Sequence, residues 1–599
     1  MLKKFFLVVC GSFVGTVLAL TFVIFASIFT SFAIFGSMAG SKGGSVKKNS
    51  ILYLNLDGEL VERARPANPF ASYAPSSLRG GGTQIPLATV VAALDKAKDN
   101  DDIKGVYIDC RGIAGAPASL LELREALVDF KQSKKFVYAF GDDGISQGDY
   151  YLASVADSIF LNPEGLVDIH GVASVSPYFK TLLDKVGVEM QVIRVGTFKS
   201  AVEPYMLDSI SPANRLQQEH YLGSIWNEMA NAMASSRKIT AQQLNTLADS
   251  IVALKPAQEV KAAKLVDALC YRQEFEDKLR RLTDVADDED LKLVAPSDLV
   301  DDADVKGSGS DKVAVLFAVG EIDGGGGVPG SGEEGIDSED LADQIRKLRL
   351  DKDVKALVLR VNSPGGSAFG SEVIWKALDD FKASGKPFAV SMGDYAASGG
   401  YYISSGAQQI FAEPTTITGS IGIFGMVPCV KGVVEDKLGV HMSVVKTNAN
   451  SDFGSITQPL TPYQREAMQQ MVNRGYELFT SRCAQGRNVT QDSIKAIAEG
   501  RVWDGKTALK IGLVDQMGGI DAAVKWVADK AKLKKDKYKV VYTPTADDSM
   551  MAFLEQMQSM RLRNEMRQQM GLFYDYYELL HRVMHRDRVL CIMEPVTLQ

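Results

Sequence analysis

The sequence predicts an α/β protein in which one domain is used twice behind a single N-terminal transmembrane helix. Three observations carry this. Short apolar runs alternate with stretches of helical spacing, which argues for strand–helix–strand units and parallel strands. Five pairs of short motifs recur at separations of 248 to 252 residues. Residues 5–41 contain no Asp, Glu, Lys or Arg.

The chain has 599 residues, too many for one hydrophobic core, and a prior of roughly 150 residues per domain gives two to four domains. Hydrophobic residues make up 46% and charged residues 23%, which excludes wholesale disorder and a collagen-like fibre. A net charge of −8 shows no global nucleic-acid footprint. Six cysteines cannot form a disulfide scaffold in a chain this long, and no CxxC pair points to a zinc site.

The first element is the uncharged run. It exceeds the ~20 residues that cross a bilayer and the ~7–15 of a signal-peptide core, so residues 1–41 read as an uncleaved membrane anchor. Lys3 and Lys4 precede it and Lys42, Lys47 and Lys48 follow, so charge alone is nearly balanced on orientation. The body follows as a first repeat over 50–283 and a second over 312–545. Asp102-Ile103-Lys104 returns as Asp353-Val354-Lys355, Tyr150-Tyr151 as Tyr401-Tyr402, and Leu265-Val266-Asp267 as Leu513-Val514-Asp515. Residues 284–311 are acidic and end in Gly307-Ser308-Gly309-Ser310, which suits a linker. In the second repeat, 356–361 reads as a buried strand, 371–383 as a helix and 387–392 as the next strand. The tail, 546–599, is rich in Met, Gln, Arg and Tyr and reads as an amphipathic helix, a packing arm or a membrane-surface contact. His581 and His585 stand four apart there without an acidic or thiol partner, so no metal site is read from them.

The chemistry concentrates at strand ends. Strand 356–361 runs into Asn362-Ser363-Pro364-Gly365-Gly366, where adjacent glycines free backbone N–H groups that can hold an oxyanion; a plain tight turn is the alternative. The next strand leads to Ser398 among small residues at a helix start, exposing a hydroxyl at the positive end of a helix dipole; a helix cap is the alternative. A serine nucleophile needs a base. The chain has only five histidines, none in a glycine-rich or strand-end motif, and no GxSxG elbow surrounds Ser398. Lysine is the other option. Lys199 stands among uncharged neighbours in the first repeat, with Lys446 in the second as its rival. A lysine base must lose about 3 pK units from ~10.4, a cost of about 4 kcal/mol that burial can impose.

These residues carry a resemblance. Segments 195–204 (VGTFKSAVEP), 362–366 (NSPGG), 393–402 (GDYAASGGYY) and 418–425 (TGSIGIFG) resemble the long, duplicated form of the signal peptide peptidase A (protease IV) family, over about 50–545. The resemblance implies tandem Clp-protease/crotonase-like domains and a Ser-Lys endopeptidase with Ser398 as nucleophile and Lys199 as general base. Ser420 would hydrogen-bond the lysine, and Gly365 and Gly366 would form the oxyanion loop. It implies no metal or cofactor, peptide substrates that are remnant signal peptides, and a homotetramer. It places the chain as a single-pass protein of the bacterial inner membrane with its body on the periplasmic side. Ser398 aligns with the region of Ser146. The first repeat has Arg111-Gly112-Ile113-Ala114-Gly115 in place of NSPGG, and an offset of 252 from Lys199 falls on Ser451. Each repeat thus retains one half of the dyad. The competing classes are a non-catalytic membrane scaffold on the same fold and an acyl-CoA enzyme of crotonase type.

Overall fold

The computed structural model describes residues 46–63, 83–300, 307, 309–323, 335–534, 537–543 and 589–593. The expected anchor at 1–41 lies outside them. Among the described residues no helix is long and apolar enough to cross a membrane.

Two parallel sheets have the same strand order. The first runs Leu293–Val294, Ser50–Val61, Ile103–Ala114, Phe136–Gly141, Ser158–Leu161, Ala268–Leu269. The second runs Tyr538–Thr543, Asp311–Val319, Val354–Ser363, Phe388–Ala397, Gln409–Ala412, Gln516–Met517. Helices cover both, and so the inner strands are continuous apolar runs: Val106, Ile108, Val137 and Ala139 in one sheet and Leu357, Val358 and Leu359 in the other are fully buried. The helices repeat too. Pro212–Arg237 and Pro462–Arg487 are both 26 residues long, each with proline in the first turn and a hydroxyl N-cap, Ser211 or Thr461. Recurring motifs make recurring bonds. Tyr150 Oη donates to the Leu265 carbonyl at 2.9 Å and Tyr401 Oη to that of Leu513 at 3.0 Å.

Three expectations change. The stretch 284–300 is no linker: Leu293–Val294 pairs with Ile51 and Leu52 as an edge strand, the counterpart of Tyr538–Thr543, and the helix Pro296–Leu299 follows. Val294 and Val300 are buried on that edge, a role that the surrounding acidic residues obscure. The repeats are also not separate bodies. Strand Glu189–Arg194 of the first pairs antiparallel with Phe424–Cys429 of the second. It closes a third sheet in the order Gly335–Ile336, Glu321–Ile322, Gly365–Ser367, Val589–Ile592, Phe424–Cys429, Glu189–Arg194. Lastly, the described part of the expected helical tail is a strand, Val589–Ile592. Four consecutive apolar residues at that point suit a buried strand better than one face of a helix.

Candidate active site

Strand Val354–Ser363 extends two residues beyond the expected run and turns through Pro364 into Gly365–Ser367. The turn needs glycine. Gly365 has φ +106°, and a Cβ there would stand 2.1 Å from the Cys591 carbonyl oxygen. A Cβ on Gly366 would stand 2.1 Å from the Ile322 carbonyl oxygen. Both contacts are to backbone, which cannot give way.

Strand Phe388–Ala397 delivers Ser398 to the start of helix Gly399–Ser404. Ser398 has φ 56° and ψ −113°, a strained backbone for a residue with a side chain. The surroundings impose it: Ser398 N–H donates to the Gly419 carbonyl at 2.8 Å, and its carbonyl accepts from Tyr402 N–H at 2.8 Å. The side chain does not cap the helix. Gly365 packs against the same corner, its ideal Cβ only 2.7 Å from Gly399 N.

Lys199 follows strand Glu189–Arg194, the first-repeat strand that joins the third sheet. That register carries it into the second repeat. The Lys199 side chain is 1% exposed, and Nζ lies 2.7 Å from Ser398 Oγ, 3.0 Å from Ser420 Oγ and 3.2 Å from the Ser420 carbonyl. Gly500 leaves room for its backbone: a Cβ there would stand 2.7 Å from Lys199 Cα. Burial pulls the ammonium from the usual lysine range down to about 7, with only the Cys591 thiol acting the other way. Ser420 is itself at φ 49°, fixed by its N–H donating to the Arg501 carbonyl at 2.7 Å. Thus Ser398, Lys199, Ser420, Gly365 and Gly366, drawn from five places in the sequence, meet at one corner. Lys446 does not join them; it lies in an exposed stretch and pairs with Asp452 at 2.5 Å. Among the described histidines, His170 is beside Asp168 and His220 beside Asp504, away from this corner.

Sequence reasoning missed two groups. One is the strand Val589–Ile592, which lies between the glycine loop and Phe424–Cys429. The other is a buried polar network across the repeats. Arg360, fully buried in the middle of an apolar strand, pairs with Glu62 at 3.0 Å and Glu122 at 2.7 Å, both from the first repeat. Asn362 donates to Glu62 at 2.9 Å and to Asp394 at 3.2 Å, and Asp394 accepts from Ser119 N and Oγ at 2.9 and 2.5 Å. Burial pushes the Glu62 carboxyl up to about 7 against the pull of Arg360. The network grips the roots of both catalytic-side loops, at Asn362 and Asp394. An arginine inside ALVLRV was its one visible signal; its partners lie about half a chain away.

The family model of peptidase family S49 matches residues 129–286 and again 380–534. Protease 4 of Salmonella typhi is 38% identical over 509 residues, 83% of this chain and 80% of that protein. Protease 4 of Haemophilus influenzae is 36% identical over 505 residues, 82% of this chain and 80% of that protein. A putative signal peptide peptidase SppA of Enterococcus faecium is 34% identical over 228 residues, 38% of this chain and 66% of that protein. With the family's domain matched twice and relatives aligned along most of its length, the chain belongs to peptidase family S49 and is a serine protease.

Proposed function

We propose that the chain is a membrane-anchored endopeptidase that uses Ser398 as nucleophile and Lys199 as general base to degrade signal peptides left after cleavage from preproteins. The observation that carries this reading is the 2.7 Å approach of Lys199 Nζ to Ser398 Oγ in a site closed to solvent. Neutral Lys199 takes the hydroxyl proton as Ser398 attacks a peptide carbonyl. Amides of the Gly365–Gly366 loop stabilise the tetrahedral oxyanion. The protonated lysine then gives its proton to the leaving amine, and the acyl-enzyme forms. Water, deprotonated by the same lysine, releases the acyl group. Ser420 Oγ, 3.0 Å from Nζ, holds the amine in line. No cofactor enters these steps.

The peptide binds as an added strand in a Clp-protease/crotonase-like cleft, with pockets for small or apolar side chains. The uncharged run 5–41 tethers the body to the bacterial inner membrane, with the body on the periplasmic side, and the assembly is a homotetramer; these rest on the sequence resemblance. The substrate class is supported by the printed name of the Enterococcus relative.

The test is hydrolysis of a peptide ester and of an unfolded protein by the wild type, Ser398→Ala and Lys199→Ala, with fluorophosphonate labelling of Ser398. Loss in both variants supports the dyad. Full activity in both removes it, and a wild type that neither hydrolyses nor labels favours a scaffold.

A further inference from the structure

The corner around Ser398 is occupied by the chain's own C-terminal strand. Val589–Ile592 runs antiparallel to two edges at once. On one side Leu590, Cys591 and Ile592 face Ser367, Gly366 and Gly365. On the other, Val589 and Leu590 face Gly425 and Phe424. Met593 N–H donates to the Pro364 carbonyl at 2.8 Å. The side chains alternate as in an extended peptide read by pockets. Leu590 is buried against Val202 of the first repeat and Phe424 of the second, with Ile592 packed at the edge of the same cluster. Cys591 points the other way and is fully buried in the core of the second repeat.

Cys591 stands at the reacting corner. Its carbonyl oxygen lies against the glycine loop, 2.1 Å from the ideal Cβ of Gly365 and 3.1 Å from that of Gly399. Its thiol is 3.5 Å from Ser371 Oγ and 3.8 Å from the Ser367 carbonyl, and it interacts with the Ser398 side chain and the Gly366 N–H. Two sheet edges facing each other across a gap are a site for one added strand, and here one strand fills it.

We propose that residues 589–592 are a built-in competitor for the peptide cleft, seated as a substrate strand with Cys591 at the reacting position, so that an outside peptide must displace them to reach Ser398. This rests on the reading of the cleft as the peptide site. It also fixes a specificity: the side chain accepted beside Ser398 is of about cysteine size, walled by Ser367, Ser371 and Gly366. A tethered segment competes at an effective concentration on the order of millimolar, so weak outside peptides are excluded and only good ones enter. The apparent affinity of any peptide falls by the fraction of chains whose cleft is open.

The experiment compares Ser398→Ala in the full chain with the same variant lacking residues 588–599, so that neither can cut its ligand. Both are titrated with a fluorescent extended peptide containing Val-Leu-Cys-Ile. The shortened chain binds at least tenfold tighter if the proposal holds; equal or weaker binding overturns it. If the shortened chain does not fold, Cys591→Trp in the full Ser398→Ala chain decides, since the ring does not fit between Ser371 and the glycine loop. Tenfold tighter binding supports the proposal and unchanged binding overturns it. A separate arm keeps Ser398 and Lys199 and applies a fluorophosphonate probe and a peptide ester. Labelling and turnover with unchanged peptide binding sink the competitor and leave the dyad standing. Tighter binding without labelling or turnover sinks the dyad and leaves the competitor standing.

Discussion

Ser146 and Ser398 occupy equivalent junctions in the two halves, each following a central strand and starting a short helix. Ser146 has φ −65° and ψ 164°, and its hydroxyl accepts from Asp149 N–H in a capping box. Ser398 has φ 56°, makes no cap and aims Oγ at Lys199. The strands before them differ in the same way. In the first half, Asp109 is buried among partners of its own half: Tyr53 at 2.7 Å, Arg111 at 2.8 Å and Arg272 at 3.3 Å. In the second, Arg360, 251 residues further on, takes its partners from the other half. One half settles its polar groups locally and is relaxed. The other leaves a serine strained and uncapped and relies on its neighbour for a lysine and for two carboxylates.

The comparison can be broken in order of effect. Ser398→Ala and Lys199→Met each lower kcat/KM on a peptide ester by about 10³-fold or more, while Ser146→Ala leaves it unchanged; a loss on Ser146→Ala would move chemistry into the first half. Glu62→Ala leaves Arg360 charged and buried, and urea unfolding shows a loss of about 3–5 kcal/mol. Its peptide-ester rate falls as well, because Asn362 loses a partner, whereas Asp109→Asn costs stability without changing kcat. Lys199→Met gains stability. Below about pH 7 the folded protein carries a buried charged lysine, and between 7 and the ordinary lysine range the unfolded chain holds one more proton than the folded one. The wild type therefore gains stability as pH rises through that window. The variant's advantage, on the order of 2–4 kcal/mol at pH 7, shrinks over the same range in thermal melts. The same amine sets the lower limb of the wild-type rate profile: kcat/KM falls about tenfold per pH unit below a limb near 7. The smallest effect is the cap: Ser146→Ala costs about 1 kcal/mol in urea unfolding.

Much of this was legible in the sequence because the signals are local. A parallel strand buried on both faces must be a continuous apolar run, so 356–361 and 387–392 stand out, though the ends are set by pairing and run on to Ser363 and Ala397. Gly365 and Gly366 are visible because only glycine tolerates a backbone that close. The strand Leu293–Val294 was hidden because two residues carry no period and acidic neighbours mask them. The network at Arg360 was half visible, since a charge in an apolar run announces a partner but not which one.

The sequence by itself determined the duplication, the α/β class and the residue types of the site, because periodicity, recurring motifs and a shortage of histidine are properties of the chain alone. Only the tertiary structure decided that Lys199 meets Ser398. A lysine's proton affinity depends on how completely it is buried, and that burial is made by Gly422, Gly500 and Ser420, more than two hundred residues away. It also decided that Val589–Ile592 is a strand, since a strand this short exists only where two edges wait to pair with it.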